Sequence, residues 1–157
     1  MKWRVIALAT AALWFVADQW SKSWADSVLR EGSISVTSWM NFHLGYNKGA
    51  AFSFLAGADG WQRWFFTLIA VVIGAWLLYE ILRKYHQPLM YLAYASILGG
   101  ALGNLYDRIV HGHVIDFIQW HYQGASFPIF NIADVGISVG VGLMILQWLL
   151  DMKGKKT

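Results

Sequence analysis

Two carboxylates, Asp116 and Asp134, stand at the outer rims of two strongly hydrophobic segments within the stretch from Gly99 to Gly142. An aspartate costs roughly 2.5–3.5 kcal/mol at the centre of a membrane helix, so acids kept beside apolar spans are functional suspects. Taken singly, either one reads as a helix cap or an interfacial polar group. Taken together they permit more, because the link between them is long enough to fold back and set them face to face. Two carboxylates about 3 Å apart cannot readily both ionise, so one holds a proton near neutral pH. Such a pair supplies a base to activate water and an acid to polarise a peptide carbonyl. It titrates jointly, which leaves the roles of base and acid unassigned at this level.

Other polar residues recur at helical spacing nearby. Asp18 and Lys22 are separated i, i+4 with the acid first, the favoured order for a helical ion pair, and read as a polar clasp at the outer end of the first helix. Asn104 and Arg108 share the same spacing, and Arg108 offers a planar fork suited to holding carbonyls or to pairing with Asp107 or another aspartate nearby. In Asn47-Lys-Gly-Ala-Ala-Phe-Ser53 the small residues, Gly49 among them, allow close backbone approach by a ligand or an added strand. Two further patterns carry less. Gly136-Ile-Ser-Val-Gly140 matches G-x-S-x-G, but it lies in an apolar helix and lacks the strand-to-helix elbow that the motif requires. His111, His113 and His121 match no common zinc spacing, so no metal site is expected.

These groups need a frame, and composition says which kind. The 157 residues are 57% hydrophobic and only 13% charged, which marks a membrane protein of one domain, residues 1–157. A net charge of +3 without a basic face argues against a nucleic-acid partner, and the absence of cysteine excludes thiolate chemistry. A helix needs about 20 residues to cross the hydrocarbon core. Four stretches qualify: 3–24, 61–82, 88–110 and 130–150. The first also resembles a signal peptide, but its small-residue triplets Ala7-Leu-Ala9 and Ala9-Thr-Ala11 lie inside the apolar run, so an uncleaved helix is expected. Lys2, Arg4, Arg83, Lys84, Lys153, Lys155 and Lys156 collect on one side, which puts both termini in the cytoplasm and both aspartates outside. Residues 25–60 then form an outer cradle with a small strand pair, drawn from Ser33–Thr37 and Trp39–Leu44, and residues 111–129 an outer loop. Small residues at Ala95, Gly99 and Gly103, and at Gly136 and Gly140, are expected to pack the third and fourth helices together. Trp3, Trp20, Trp24, Trp61, Trp64, Trp120 and Trp148 read as interfacial anchors.

With Asp18-Gln19 and Lys22, Asn47 to Ser53, Gly103-Asn-Leu-Tyr-Asp-Arg108, Val114-Ile-Asp-Phe117 and Phe130-Asn-Ile-Ala-Asp134 in hand, the whole chain resembles the prolipoprotein signal peptidases, or signal peptidase II. These are bacterial integral-membrane aspartic peptidases. The resemblance implies a catalytic pair at Asp116 and Asp134, with Asn47, Gly49, Asn104, Arg108 and Asn131 lining the substrate site. It implies a lipoprotein precursor whose cysteine carries diacylglycerol, cut on the N-terminal side of that cysteine by a monomer with no cofactor, on the periplasmic side of the inner membrane and in contact with its lipids. It also implies inhibition by the cyclic peptide globomycin. Val135 departs from the family, which often has a small hydroxyl residue there. The alternatives are a membrane transport or proton-relay protein and a scaffold without chemistry. A relay should cross the midplane, whereas these acids lie toward one side.

Overall fold

The computed structural model describes residues 1–49 and 60–154, so Ala50 to Ser53 of the small-residue block, the rest of the cradle up to Asp59, and Lys155 and Lys156 lie outside the described residues. Four α-helices run alternately up and down: α1 (Lys2–Val28), α2 (Trp61–Arg83), α3 (Pro88–Val110) and α4 (Ile132–Gly154). Each is long enough to cross a bilayer. By hydropathy as well as length, α2 and α4 are candidate spans. The other two carry Asp18, Lys22, Asn104, Asp107 and Arg108, which lower their mean hydropathy and face inward for the most part. Pro88 begins α3 at a position where its missing N–H costs nothing.

Helix α3 is central and touches α1, α2 and α4. Small residues make that position possible, though not by the single face expected from the sequence. A side chain at Gly99 would strike Ala11 and Trp14 of α1, one at Gly100 would strike Ala133 of α4, and one at Gly103 would strike Asp18 of α1. Gly99 and Gly103 therefore admit α1 and Gly100 admits α4. A helix packed on several sides needs small residues around its circumference, and a single i, i+4 row serves only one neighbour. Between α1, α2 and α3 lies an apolar core of Ala7, Ala11, Leu77, Ile81, Tyr91, Tyr94, Ala95 and Leu98.

The ends of α1 and α3 meet a four-stranded antiparallel sheet of order β1-β2-β3-β4: β1 (Ile34–Thr37), β2 (Met40–Asn47), β3 (Val114–Tyr122) and β4 (Ala125–Ser126). The expected strand pair in the first link is present as β1 and β2. The expected outer loop at 111–129 needs correction, because most of it is strand. Val114, Ile115, Phe117, Ile118, Trp120 and Tyr122 are β-formers, and the run pairs its backbone with β2 from Asn47↔Val114 to Met40↔Trp120. A second core of Ala25, Leu29 and Phe117, with Trp24 and Phe42 against it, seats the sheet on α1. Trp24 makes edge contacts with Phe42 and Phe117, so it is a packing residue and not a free interfacial anchor.

Close packing of α4 on α3 gives a direct test. A Cβ on Gly140 would lie 2.5 Å from Ile97 Cγ1 and 2.6 Å from the Ala93 carbonyl oxygen, while one on Gly142 meets nothing within 4 Å. Gly140→Ala should destabilise the protein by roughly 1–3 kcal/mol in thermal unfolding in detergent. Gly142→Ala should be neutral or stabilising, since alanine is the better helix former by about 1 kcal/mol. Equal effects from the two would contradict this packing.

Candidate active site

Asp116 enters the site from β3 and Asp134 from the first turn of α4. What brings them together is Phe130, whose backbone pairs with β3 on the side away from β2. Ile118 N–H donates to the Phe130 carbonyl at 2.8 Å, and Phe130 N–H returns the bond to the Ile118 carbonyl at 3.0 Å. The next residue, Asn131, is thereby delivered beside Asp116 and starts α4. Its side chain accepts the Asp134 N–H at 3.0 Å while the Asp134 carboxylate accepts the Asn131 N–H at 3.2 Å. This is a reciprocal helix cap, so the capping reading of Asp134 holds, and the cap leaves its carboxylate in the cluster with Asp116.

Three side-chain amides aim their NH2 groups at the two carboxylates. Asn47 Nδ2 donates to Asp116 Oδ2 at 3.2 Å, Asn131 Nδ2 to Asp116 Oδ1 at 2.7 Å, and Asn104 Nδ2 to Asp134 Oδ1 at 2.9 Å. The orientation of each amide is dictated by a donor on its other end. Asn47 Oδ1 accepts the Gly49 N–H at 2.9 Å, and Asn131 Oδ1 accepts the Asp134 N–H. Asn104 Oδ1 accepts from Lys22 Nζ at 2.9 Å and from Asn131 Nδ2 at 3.1 Å. Because an ammonium only donates, Asn104 must turn its carbonyl to Lys22 and its NH2 to Asp134.

Lys22 is 1% exposed, and its other two acceptors are Asp18 at 2.8 Å and Asp107 at 2.9 Å. The expected Asp18–Lys22 clasp is thus present, and Asp107 completes it. Arg108 does not take up Asp107. Its Nη1 donates to the Asn104 carbonyl at 3.2 Å, its guanidinium lies over Phe66 at 5.5 Å, and its buried Nε has no partner among the described residues. Gly49, with φ +121, approaches Gln62 so closely that a Cβ would sit 3.0 Å from Gln62 Cβ, and its N–H is spent on orienting Asn47. Ser138 lies exposed within α4, far from the geometry a serine nucleophile requires.

Reasoning from the sequence missed that Asp107 belongs to the buried cluster and that Asp116 rides on a strand. The β-branched and aromatic run around Asp116 was the available signal for the second. Burial, and after it the neighbouring charge of Asp134, push the Asp116 carboxyl from the usual 3.8 up to about 7, against the opposing hydrogen bonds from Asn47 and Asn131. One buried acid that keeps its proton near neutrality beside a second, more open carboxylate is an acid–base pair.

A family model described as Signal peptidase (SPase) II matches residues 10–150. The chain is 55% identical over 135 residues to the lipoprotein signal peptidase of Dichelobacter nodosus, covering 86% of this chain and 88% of that one. With the lipoprotein signal peptidase of Neisseria meningitidis serogroup C it is 46% identical over 160 residues, covering 99% and 96%. A solved bacterial membrane enzyme superposes with a TM-score of 0.83 at 32% identity, covering 96% of this chain and 91% of that chain.

The raised Asp116 carboxyl has a thermodynamic consequence. Between about pH 4 and pH 7 native Asp116 keeps a proton that the unfolded chain has released. The native state then binds more protons, and stability falls as pH rises through that window. Asp116→Asn carries no charge at any pH. Its melting temperature relative to wild type should therefore climb between about pH 4 and pH 8, whatever its offset from the altered hydrogen bonding. A difference that stays flat across the range would show that Asp116 titrates as an ordinary carboxylate.

Proposed function

The chain belongs to the signal peptidase II family, whose members are aspartic peptidases that process prolipoproteins, and on that premise we propose that Asp116 and Asp134 are its catalytic pair. The observation that carries this reading is the convergence of three oriented amides on two carboxylates, one of them held near pH 7. In the proposed reaction the ionised carboxylate takes a proton from water while the protonated one donates to the peptide carbonyl oxygen. Water oxygen bonds to the carbonyl carbon, and the tetrahedral species collapses as the pair returns a proton to the leaving nitrogen. Asn47, Asn104 and Asn131 hold the carboxylates in place. Arg108, with Nε unclaimed among the described residues, is assigned to the substrate backbone.

The proposed setting is the bacterial inner membrane, with α1 to α4 all spanning, both termini in the cytoplasm, and the sheet and carboxylates on the periplasmic side. Arg4 Nη2 donates to the Lys84 carbonyl at 3.4 Å, which puts the basic start of α1 beside the basic link after α2, at the end away from the sheet. Large apolar side chains on α2 and α4, among them Trp64, Leu68, Val72, Trp76, Ile145 and Leu149, are exposed and suited to lipid. A diacylglycerol tail on the substrate cysteine would stay in the outer leaflet, which accounts for carboxylates placed where helices meet sheet. The proposed substrate is therefore a diacylglyceryl-modified prolipoprotein, cut by a monomer on the N-terminal side of the modified cysteine.

Cleavage of a diacylglyceryl-modified precursor by purified wild type, Asp116→Asn and Asp134→Asn tests the pair, with unmodified precursor as control. Wild type should cut the modified form only, and each folded variant should lose roughly three orders of magnitude or more in kcat. Comparable cutting by either variant would remove it from the catalytic pair. Arg108→Lys should cost about tenfold in kcat/KM despite keeping its charge, because a point ammonium cannot reproduce the planar fork. Activity within about twofold of wild type would rule out that role for Arg108.

A further inference from the structure

The buried ion cluster reaches both catalytic strands of backbone. Asp18 Oδ1 accepts the N–H of Ala133 at 2.8 Å, and Asp107 Oδ2 accepts the N–H of Ile115 at 3.1 Å. Those two residues immediately precede Asp134 and Asp116. Lys22 joins the two carboxylates by ion pairs at 2.8 and 2.9 Å, and its third hydrogen orients Asn104 toward Asp134. Gln19 Nε2 closes the ring with bonds to Asp18 Oδ2 at 3.1 Å and Asp107 Oδ1 at 3.0 Å.

We propose that Asp18, Lys22 and Asp107 form a caliper that sets the spacing of the catalytic pair, with Lys22 also fixing which face of the Asn104 amide Asp134 meets. The proposal rests on the pair being Asp116 and Asp134. It extends the role of Asp18 and Lys22 from holding helices together to positioning reacting groups, and it adds Asp107. These three touch no reacting atom. They act through the Ala133 and Ile115 backbone and through Asn104, and the burial of Asp18 and Asp107 at 0% exposure and Lys22 at 1% leaves the ring no room to relax. The charged groups facing the site are Asp18 and Lys22 on α1, Asp107 and Arg108 on α3, Asp116 on β3 and Asp134 on α4.

The decisive variant is Lys22→Met combined with Asp107→Asn, which removes one charge of each sign and so leaves the net charge of the cluster unchanged. It removes the charged donor to Asn104 Oδ1 and leaves the 3.1 Å bond from Asn131 Nδ2 to hold that end alone, so the amide turns its carbonyl more readily toward Asp134, where only a protonated carboxyl can bond to it. Displacements near 1 Å at a reacting centre cost up to about a hundredfold. A fall in kcat of roughly tenfold or more is expected, with KM within about threefold and the acid-side limb of the kcat profile moved to higher pH by about half a unit or more. Asp107→Glu keeps the charge and the Lys22 pair but sets the carboxylate one methylene further from its backbone. It should retain the fold by melting temperature and lose about tenfold in kcat at unchanged KM. Wild-type kcat and pH profile in either folded variant would overturn the caliper. Asp116→Asn in the same assay separates the two readings, since cleavage by that variant would sink the catalytic pair itself.

Discussion

An ammonium has three protons and no lone pair, so burying Lys22 among apolar helices obliges the fold to bring three acceptors to one point. An unpaired ion there would cost several kcal/mol in lost solvation. Asp18, Asp107 and Asn104 meet the requirement, and much of the architecture follows from where they must stand. Asp107 can reach Lys22 only if α3 lies against α1, and α1 can approach that closely only because residue 103 is glycine. A methyl group there would overlap the Asp18 carboxylate. The same contact leaves Asp18 beside the start of α4, so one lysine sets the relation of three helices.

Polarity in this protein is arranged from the inside outward. Asp18, Lys22, Asn104, Asp107, Asp116 and Asn131 are buried, while α2 and α4 present tryptophan, leucine, isoleucine and valine outward. In a lipid environment apolar contact gives little drive for helices to associate, which leaves small-residue packing and interhelical polar bonds to hold them. Both are found at one end of α3. The sheet then covers that end, with Trp24, Phe42 and Phe117 packed beneath it so that the carboxylates lie between an apolar bundle and a polar surface.

Helices were legible in the sequence because their signal is additive along a long window, and α3 was read from Pro88 to Val110 as it is observed. The carboxylate pair was legible because an aspartate beside an apolar run is conspicuous. Strand β3 was not, since nine residues between two spans read most simply as a link, and their pairing partner β2 lies far earlier in the chain. Asp107 was ambiguous for a related reason. Its neighbour Arg108 is an obvious mate on paper, but adjacent residues on a helix point about 100° apart, and the partner that Asp107 meets is on another helix. Which end of an asparagine faces which neighbour is likewise invisible until the donor behind it is known.

Those orientations decide how the pair can work. Among the described residues each of its four carboxylate oxygens accepts a bond: Asp116 from Asn47 and Asn131, Asp134 from Asn104 and the Asn131 N–H. An ionised carboxylate has about four acceptor sites, so each oxygen retains roughly one lone pair for water, substrate or the opposing acid. The donors are matched, but the surroundings are not. Asp116 is buried on a strand, whereas Asp134 is partly open in the first turn of a helix, where backbone N–H groups are directed toward it. Burial therefore breaks a symmetry that the hydrogen bonds would have preserved. Burial, and after it the charge of Asp134, favour the protonated form of the strand residue Asp116.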